Sequence, residues 1–113
     1  MAQGKIKNKM RVSFFDSRIE KFIEQLNTPT REKVSHTIEL LEQYGNLLGL
    51  PHSKKLRKDL YELRTQGKPA IRLMYAFYNQ EALILHIFSK KIQKTPSYEL
   101  AIAVKRLKLL QVK

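Results

Sequence analysis

The 113-residue chain contains no cysteine and no tryptophan, and only four glycines and four prolines. Without cysteine there is no disulfide, no thiol nucleophile and no cysteine-based zinc or iron–sulfur centre, a composition that fits a reducing compartment. No apolar run approaches the roughly 20 residues of a membrane-spanning helix, so no membrane role is expected. The opening MAQGKIKNKM is basic but lacks the apolar centre of a secretory signal, so the expected location is cytoplasmic. No GxxxxGKS loop, HExxH pair or carboxylate cluster occurs, which excludes P-loop nucleotide hydrolysis and leaves a metal site little support. The expectation is therefore no metal and no cofactor.

Negative charge is the scarcest commodity. Ten Asp and Glu face 22 Lys and Arg, a formal net charge of +12. The excess is one-sided: residues 1–53 hold eight bases and six acids, whereas residues 54–113 hold 14 bases and four acids. An uneven excess of this size creates a local positive field, for which nucleic acid is the natural partner. An anionic membrane surface fits less well, because no basic amphipathic helix with a broad apolar face is present.

At 42% hydrophobic residues the chain reads as one globular domain over 1–113, with 1–10 a basic segment free to be flexible. Arg11–Phe15 reads as a first strand. Ser17-Arg-Ile-Glu20 has the capping-box pattern, and Ile19, Phe22, Ile23 and Leu26 recur at helical spacing. Thr28-Pro29 restarts the chain, with Thr28 as N-cap and Pro29 in the first turn. Val34, Ile38, Leu41 and Tyr44 line a second helix that Gly45 stops. A loop to Ser53 follows. The period then changes to two. Leu60–Arg64 alternates, Ala70–Tyr78 places Ile71, Leu73, Tyr75 and Phe77 opposite Arg72 and Met74, and Ala82–Ser89 is apolar on both faces like a central strand. Thr95-Pro96 starts a last helix with Leu100, Val104 and Leu107 on one stripe. The order β-α-α-β-β-β-α predicts an α+β domain, its helices packed on one face of a largely antiparallel sheet. Glu62, Arg64 and Arg72 would share the uncovered face, joined by His86 and Phe88 if the third long strand keeps matching parity.

Four phrases carry a resemblance: Lys55-Leu56, Leu60-Tyr-Glu-Leu-Arg64, Ile71-Arg-Leu-Met-Tyr75 and His86-Ile-Phe-Ser-Lys-Lys-Ile-Gln-Lys-Thr-Pro96. Together they are similar to phage-derived Gp49-like proteins, HigB-type toxins of the RelE superfamily in bacterial type II toxin–antitoxin modules. The likeness runs from about Val12 to Leu110. It implies a RelE-like domain and a metal-independent endoribonuclease that cuts mRNA at the ribosome, held inactive by a cognate antitoxin of helix-turn-helix type. By motif position Arg64 and Arg72 correspond to the family's sheet arginines, and Lys90, Lys91 and Lys94 to its basic residues after the last long strand. Tyr98 lies near the catalytic tyrosine of some relatives. Phe88 stands where others carry an aromatic that can move protons, which it cannot.

The residues themselves support the same chemistry without choosing every role. Arginine forks suit phosphate because they stay charged and bind two oxygens at once. Proton transfer is open to Glu62, His86, Tyr98 or a lysine such as Lys91. Lys54, Lys55, Arg57, Lys58, Lys90 and Lys94 are candidate phosphate contacts, and Phe88 a candidate base-stacking ring. Plainer readings stand beside these. Glu62 could simply pair with an arginine, His86 could be a satisfied sheet histidine, and Lys54–Lys58 could be a solvated run. A non-catalytic RNA- or ribosome-binding module would need the same charge. An inactive partner or a phage structural protein that kept the fold is the third class.

Overall fold

The computed structural model describes residue 5, residues 8–91 and residues 96–111. Lys94 and the Thr95 helix start lie outside these residues. The elements are β1 (Val12–Phe14), α1 (Ser17–Glu24), α2 (Thr28–Tyr44), a 3-10 turn at Gly45–Leu47, β2 (Ser53–Arg57), β3 (Leu60–Arg64), β4 (Ala70–Tyr78), β5 (Glu81–Lys90) and α3 (Ser97–Gln111).

Both helix starts differ by one residue from the sequence expectation. Asp16, not Ser17, caps α1, its carboxylate accepting from the Arg18 amide at 3.0 Å. Asn27, not Thr28, caps α2 by accepting from the Thr30 amide at 3.0 Å. Either acceptor type satisfies an orphan amide for about 1 kcal/mol, so the choice falls to the residue whose backbone is extended. Gly45 ends α2 at φ 53, a left-handed conformation that costs glycine nothing.

The sheet has five strands in the order β1-β5-β4-β3-β2, one more than expected. Only β1–β5 is parallel; the other three pairings are antiparallel. β2 is the unexpected strand, and it takes up Lys54, Lys55 and Arg57. Its polar, lysine-rich composition hides strand alternation and is what a solvent-facing edge strand uses to discourage further pairing. Asn79 and Gln80, at φ 52 and 63, form the tight β4–β5 turn.

The helices do not share one face. Ile19, Val34 and Leu41 of α1 and α2 pack on Leu63, Ile71, Leu73, Tyr75, Ala82, Ile84 and Ile87. Ala103 of α3, with Leu100, Val104 and Leu107, packs on Leu60, Met74, Ala76, Leu85 and Phe88 on the opposite face. Each wholly buried Leu, Ile, Val or Met among these contributes about 1.5–3 kcal/mol. A bulge makes the second layer possible. Met74 pairs with His86 but Tyr75 pairs with Ile84, leaving Leu85 as the extra residue. The extra residue resets the alternation, so Ala82, Ile84 and Ile87 feed one core and Leu83, Leu85 and Phe88 the other. Among the described residues no helix is long and apolar enough to cross a membrane.

Candidate functional site

Strand register assembles the cationic cluster. Arg64 lies directly opposite Arg72, and Glu62 opposite Met74, one row further in. Lys54 of β2 sits opposite Glu62, Phe88 of β5 opposite Arg72, and Lys90 opposite Ala70. Because these positions share parity, all project from the α3 side of the sheet, at the end that the apolar stripe of α3 leaves free.

At the centre is a buried carboxylate. Glu62 is 0% exposed, an uncommon state for a glutamate unless it is paired. Its Oε1 accepts from Arg64 Nε at 3.1 Å and lies 3.8 Å from Arg72 Nε. Arg72 Nη1 also donates to the Ile71 carbonyl at 3.2 Å. Burial lowers the Arg72 pKa; Glu62 opposes that shift and Arg64 adds to it. Burial likewise lowers Lys90, with Glu62 raising it and Arg72, Arg64 and Lys54 lowering it further. Lys90 therefore feels the whole cluster. One carboxylate stands among four cations, so the face is positive even after pairing, and the arginines remain charged. The Arg72 Nε is buried and makes no hydrogen bond among the described residues, standing 3.8 Å from Glu62 Oε1.

A second group of residues borders this face. β1 covers β5 only at Ala82–Ile84, and beyond that point a cleft of about 580 Å³ opens along β5, lined by Phe22, Phe88, Ser89, Lys91, Tyr98 and Glu99 among others. Tyr98 is 66% exposed and Lys91 is also exposed, so both are available to a ligand. His86 is not. Its Nε2 lies 2.6 Å from Glu99 Oε1, and its ring stacks on Phe88 at 5.7 Å. Phe88 is buried at 4% exposure and packs in the α3 core, which leaves little ring face for a base.

Other candidates stand apart. Lys55 pairs with Tyr61, on the α1–α2 side of the sheet. Arg57 lies opposite Leu60, roughly 13 Å along β3 from Arg64, and Lys58 occupies the adjoining turn. Tyr61 stacks on Tyr75 at 5.4 Å within the core.

Two residues with structural parts carry no sequence signal. Glu99, the partner of His86, reads only as a favourable acid in a helix first turn. Arg106 donates to the Leu85 carbonyl at 2.6 Å, lies 3.8 Å from Asp16 Oδ2 and stands 4.9 Å over the Phe15 ring. It thus fastens α3 to the carbonyl at the bulge and to the start of α1. Among the described residues no group of three His, Cys, Asp or Glu could hold a metal ion.

No curated protein matches the chain. Residues 21–108 match a family described as "Phage derived protein Gp49-like (DUF891)", a span that contains α2, β2–β5 and every cationic position of the cluster.

Proposed function

Because the chain belongs to the phage-derived Gp49-like family of RelE-superfamily toxins, we propose that it is a HigB-type endoribonuclease that cleaves mRNA at the ribosome without a metal. Membership makes it a toxin of a toxin–antitoxin module and implies a cognate antitoxin; the helix-turn-helix type of that antitoxin is part of the proposal. The observation that carries the reading is the pair of opposed guanidiniums, Arg64 and Arg72, anchored on the buried Glu62 carboxylate at an open end of the sheet.

The chemistry needs no metal. The substrate's 2′-oxygen attacks the adjacent phosphorus while the bond from phosphorus to the 5′-oxygen breaks, leaving a 2′,3′-cyclic phosphate and a free 5′-hydroxyl. A base takes the 2′-proton and an acid supplies one to the departing oxygen. Arg72 and Arg64 hold the non-bridging oxygens as charge builds on them, a role worth roughly 3–4 kcal/mol per well-aimed donor. Glu62 fixes both guanidiniums rather than acting as the base, since burial between them denies it access to a ribose. Lys90 is one candidate for proton transfer: it shares the face of Arg72 and Glu62, and burial lowers its pKa, the direction a lysine base needs. Lys91 and Tyr98 border the same end and are the alternatives. Lys54 contributes a phosphate contact.

The test is induced expression of the parent chain and of Arg72→Ala, with growth and transcript integrity followed together. A ribonuclease arrests growth and cuts messages, and the variant does neither while remaining soluble and keeping much of its RNA affinity. If the parent binds RNA but leaves transcripts whole, the non-catalytic binding module is the correct reading.

A further inference from the structure

On the far side of the β3–β4 hairpin lies a cleft that no step above uses. It has a volume of about 280 Å³ and is lined by Lys33, His36 and Thr37 of α2, His52, and Gln66 and Gly67 of the hairpin loop. Every polar group in this lining is a nitrogen donor, an amide or a hydroxyl; there is no carboxylate. Glu32 and Glu39 on the same helix are exposed and are not part of the lining. Lys33 spans the gap: a Cβ added at Gly67 would meet its Nζ at 2.8 Å, and Gly67, at φ 84, keeps the loop free of side chain there. The Thr37 hydroxyl is already committed to the Lys33 carbonyl at 2.7 Å, which leaves the lysine, the two imidazoles and the Gln66 amide as the side-chain donors of the lining. An imidazole offers an N–H whether or not it is protonated.

The cleft is joined to the arginine site by one strand. The Arg64 amide donates to the His52 carbonyl at 2.8 Å, so His52 is next to Arg64 across the last ladder of the sheet, about 5 Å away. β2 is the edge strand, and Lys54 and Lys55 expose ammonium groups on its two faces, Lys54 toward Arg64 and Lys55 toward α2. Lysine and arginine groups therefore flank the β2 edge on the Arg64 face, at Lys90, Arg72, Arg64 and Lys54, and the imidazoles of His52 and His36 with the Lys33 ammonium follow on the α2 side. We infer that the α2 cleft is a second phosphate subsite, and that a single RNA strand held at Arg64 and Arg72 crosses β2 and continues into it. This rests on the ribonuclease reading for the identity of the polyanion and extends it to the path and length of the strand. The neighbouring hollow at Leu40, Tyr44, Leu48 and Leu50 is lined by large apolar side chains and would suit a protein segment, whereas the α2 cleft is lined by Lys33, two histidines, Thr37, Gln66 and Gly67, with no large aliphatic or aromatic side chain among them.

The experiment measures binding of 2′-O-methyl oligouridylates, which cannot undergo 2′-attack, by fluorescence anisotropy across a salt series. A short probe of about three nucleotides covers only the arginine end, and a long one of about nine reaches the cleft. The Lys33→Ala/His36→Ala variant removes two exposed side chains and so leaves the core intact, which a thermal melt checks; Lys33→Glu is the second variant. The expected result is a fall in affinity of about 5- to 10-fold for the long probe alone, with the salt slope flatter by about 0.7 for each phosphate no longer neutralised. Equal affinity and slope for parent and variants at both lengths overturns the subsite while leaving the ribonuclease reading intact. If the parent cleaves no RNA but the variants still weaken long-probe binding, the subsite stands and the enzyme falls. A parent that binds neither probe removes both. Unchanged RNA binding with loss of the co-purifying antitoxin makes the cleft a protein interface and also overturns the proposal.

Discussion

Glu62→Gln is the sharpest perturbation of the arginine site. The side chain keeps its volume and its oxygen but loses its charge, and the two guanidiniums lose their shared counter-ion. Glu62 is 1% exposed at its side chain, Arg72 14% and Arg64 25%. Breaking a fully buried pair costs about 3–5 kcal/mol, and the partial exposure of both arginines, which can turn toward water, moves the expectation to about 2–3 kcal/mol. For a domain of this size that is a fall in Tm of roughly 8–15 °C. In an Arg64→Gln background, where the 3.1 Å hydrogen bond is already gone, the cost of Glu62→Gln should shrink by about 1 kcal/mol. Urea unfolding of the four proteins of this cycle reads both quantities. RNA cleavage should fall as well, because Arg72 is no longer held in place. A variant with unchanged midpoint and unchanged cleavage would refute the anchoring role of Glu62, and with it the reason for placing a glutamate beneath two arginines.

Two further outcomes follow from the packing. Burial raises Tyr75 to about 12, only partly offset by its 2.5 Å hydrogen bond with Ser53. A raised folded-state pKa means stability that is fully present below the unfolded value near 10 and lost as pH rises toward 12, by about 2–3 kcal/mol. Unfolding midpoints between pH 9 and 12 should show this fall in the parent and not in Tyr75→Phe, which instead loses about 1 kcal/mol at neutral pH; parallel curves for the two proteins would count against it. Arg106→Gln removes the donor to the Leu85 carbonyl and the cation over Phe15, at an expected cost of about 2–3 kcal/mol. Hydrogen exchange should then quicken in α3 before it does in α2, and uniform quickening would contradict a local fastening role.

Much of this could be read from local pattern. The alternation in Leu60–Arg64 and Ala70–Tyr78 placed Arg64, Arg72 and Glu62 on one face, and they are there. The helical spacing of Ile19, Val34 and Leu41 found the face of α1 and α2 that is buried. Period and turn chemistry are properties of a few consecutive residues, so the chain states them directly. β2 escaped because its side chains are nearly all polar: an edge strand is made by the partner it pairs with, not by its own alternation. The side on which α3 lies was also hidden, since β5 is apolar on both faces and a stripe of Leu100, Val104 and Leu107 could have met either.

What the sequence determined by itself is the one-sided charge, the family, and the strands that carry the arginines. What only the tertiary structure decided is the bulge at Leu85 that sends Phe88 into the α3 core and His86 to Glu99, the complete burial of Glu62 between Arg64 and Arg72, and the meeting of Lys33, His36 and His52 around one cleft. The reason is physical: periodicity is local, whereas register, layer and the distance between charges far apart in the chain are set by packing the whole core at once.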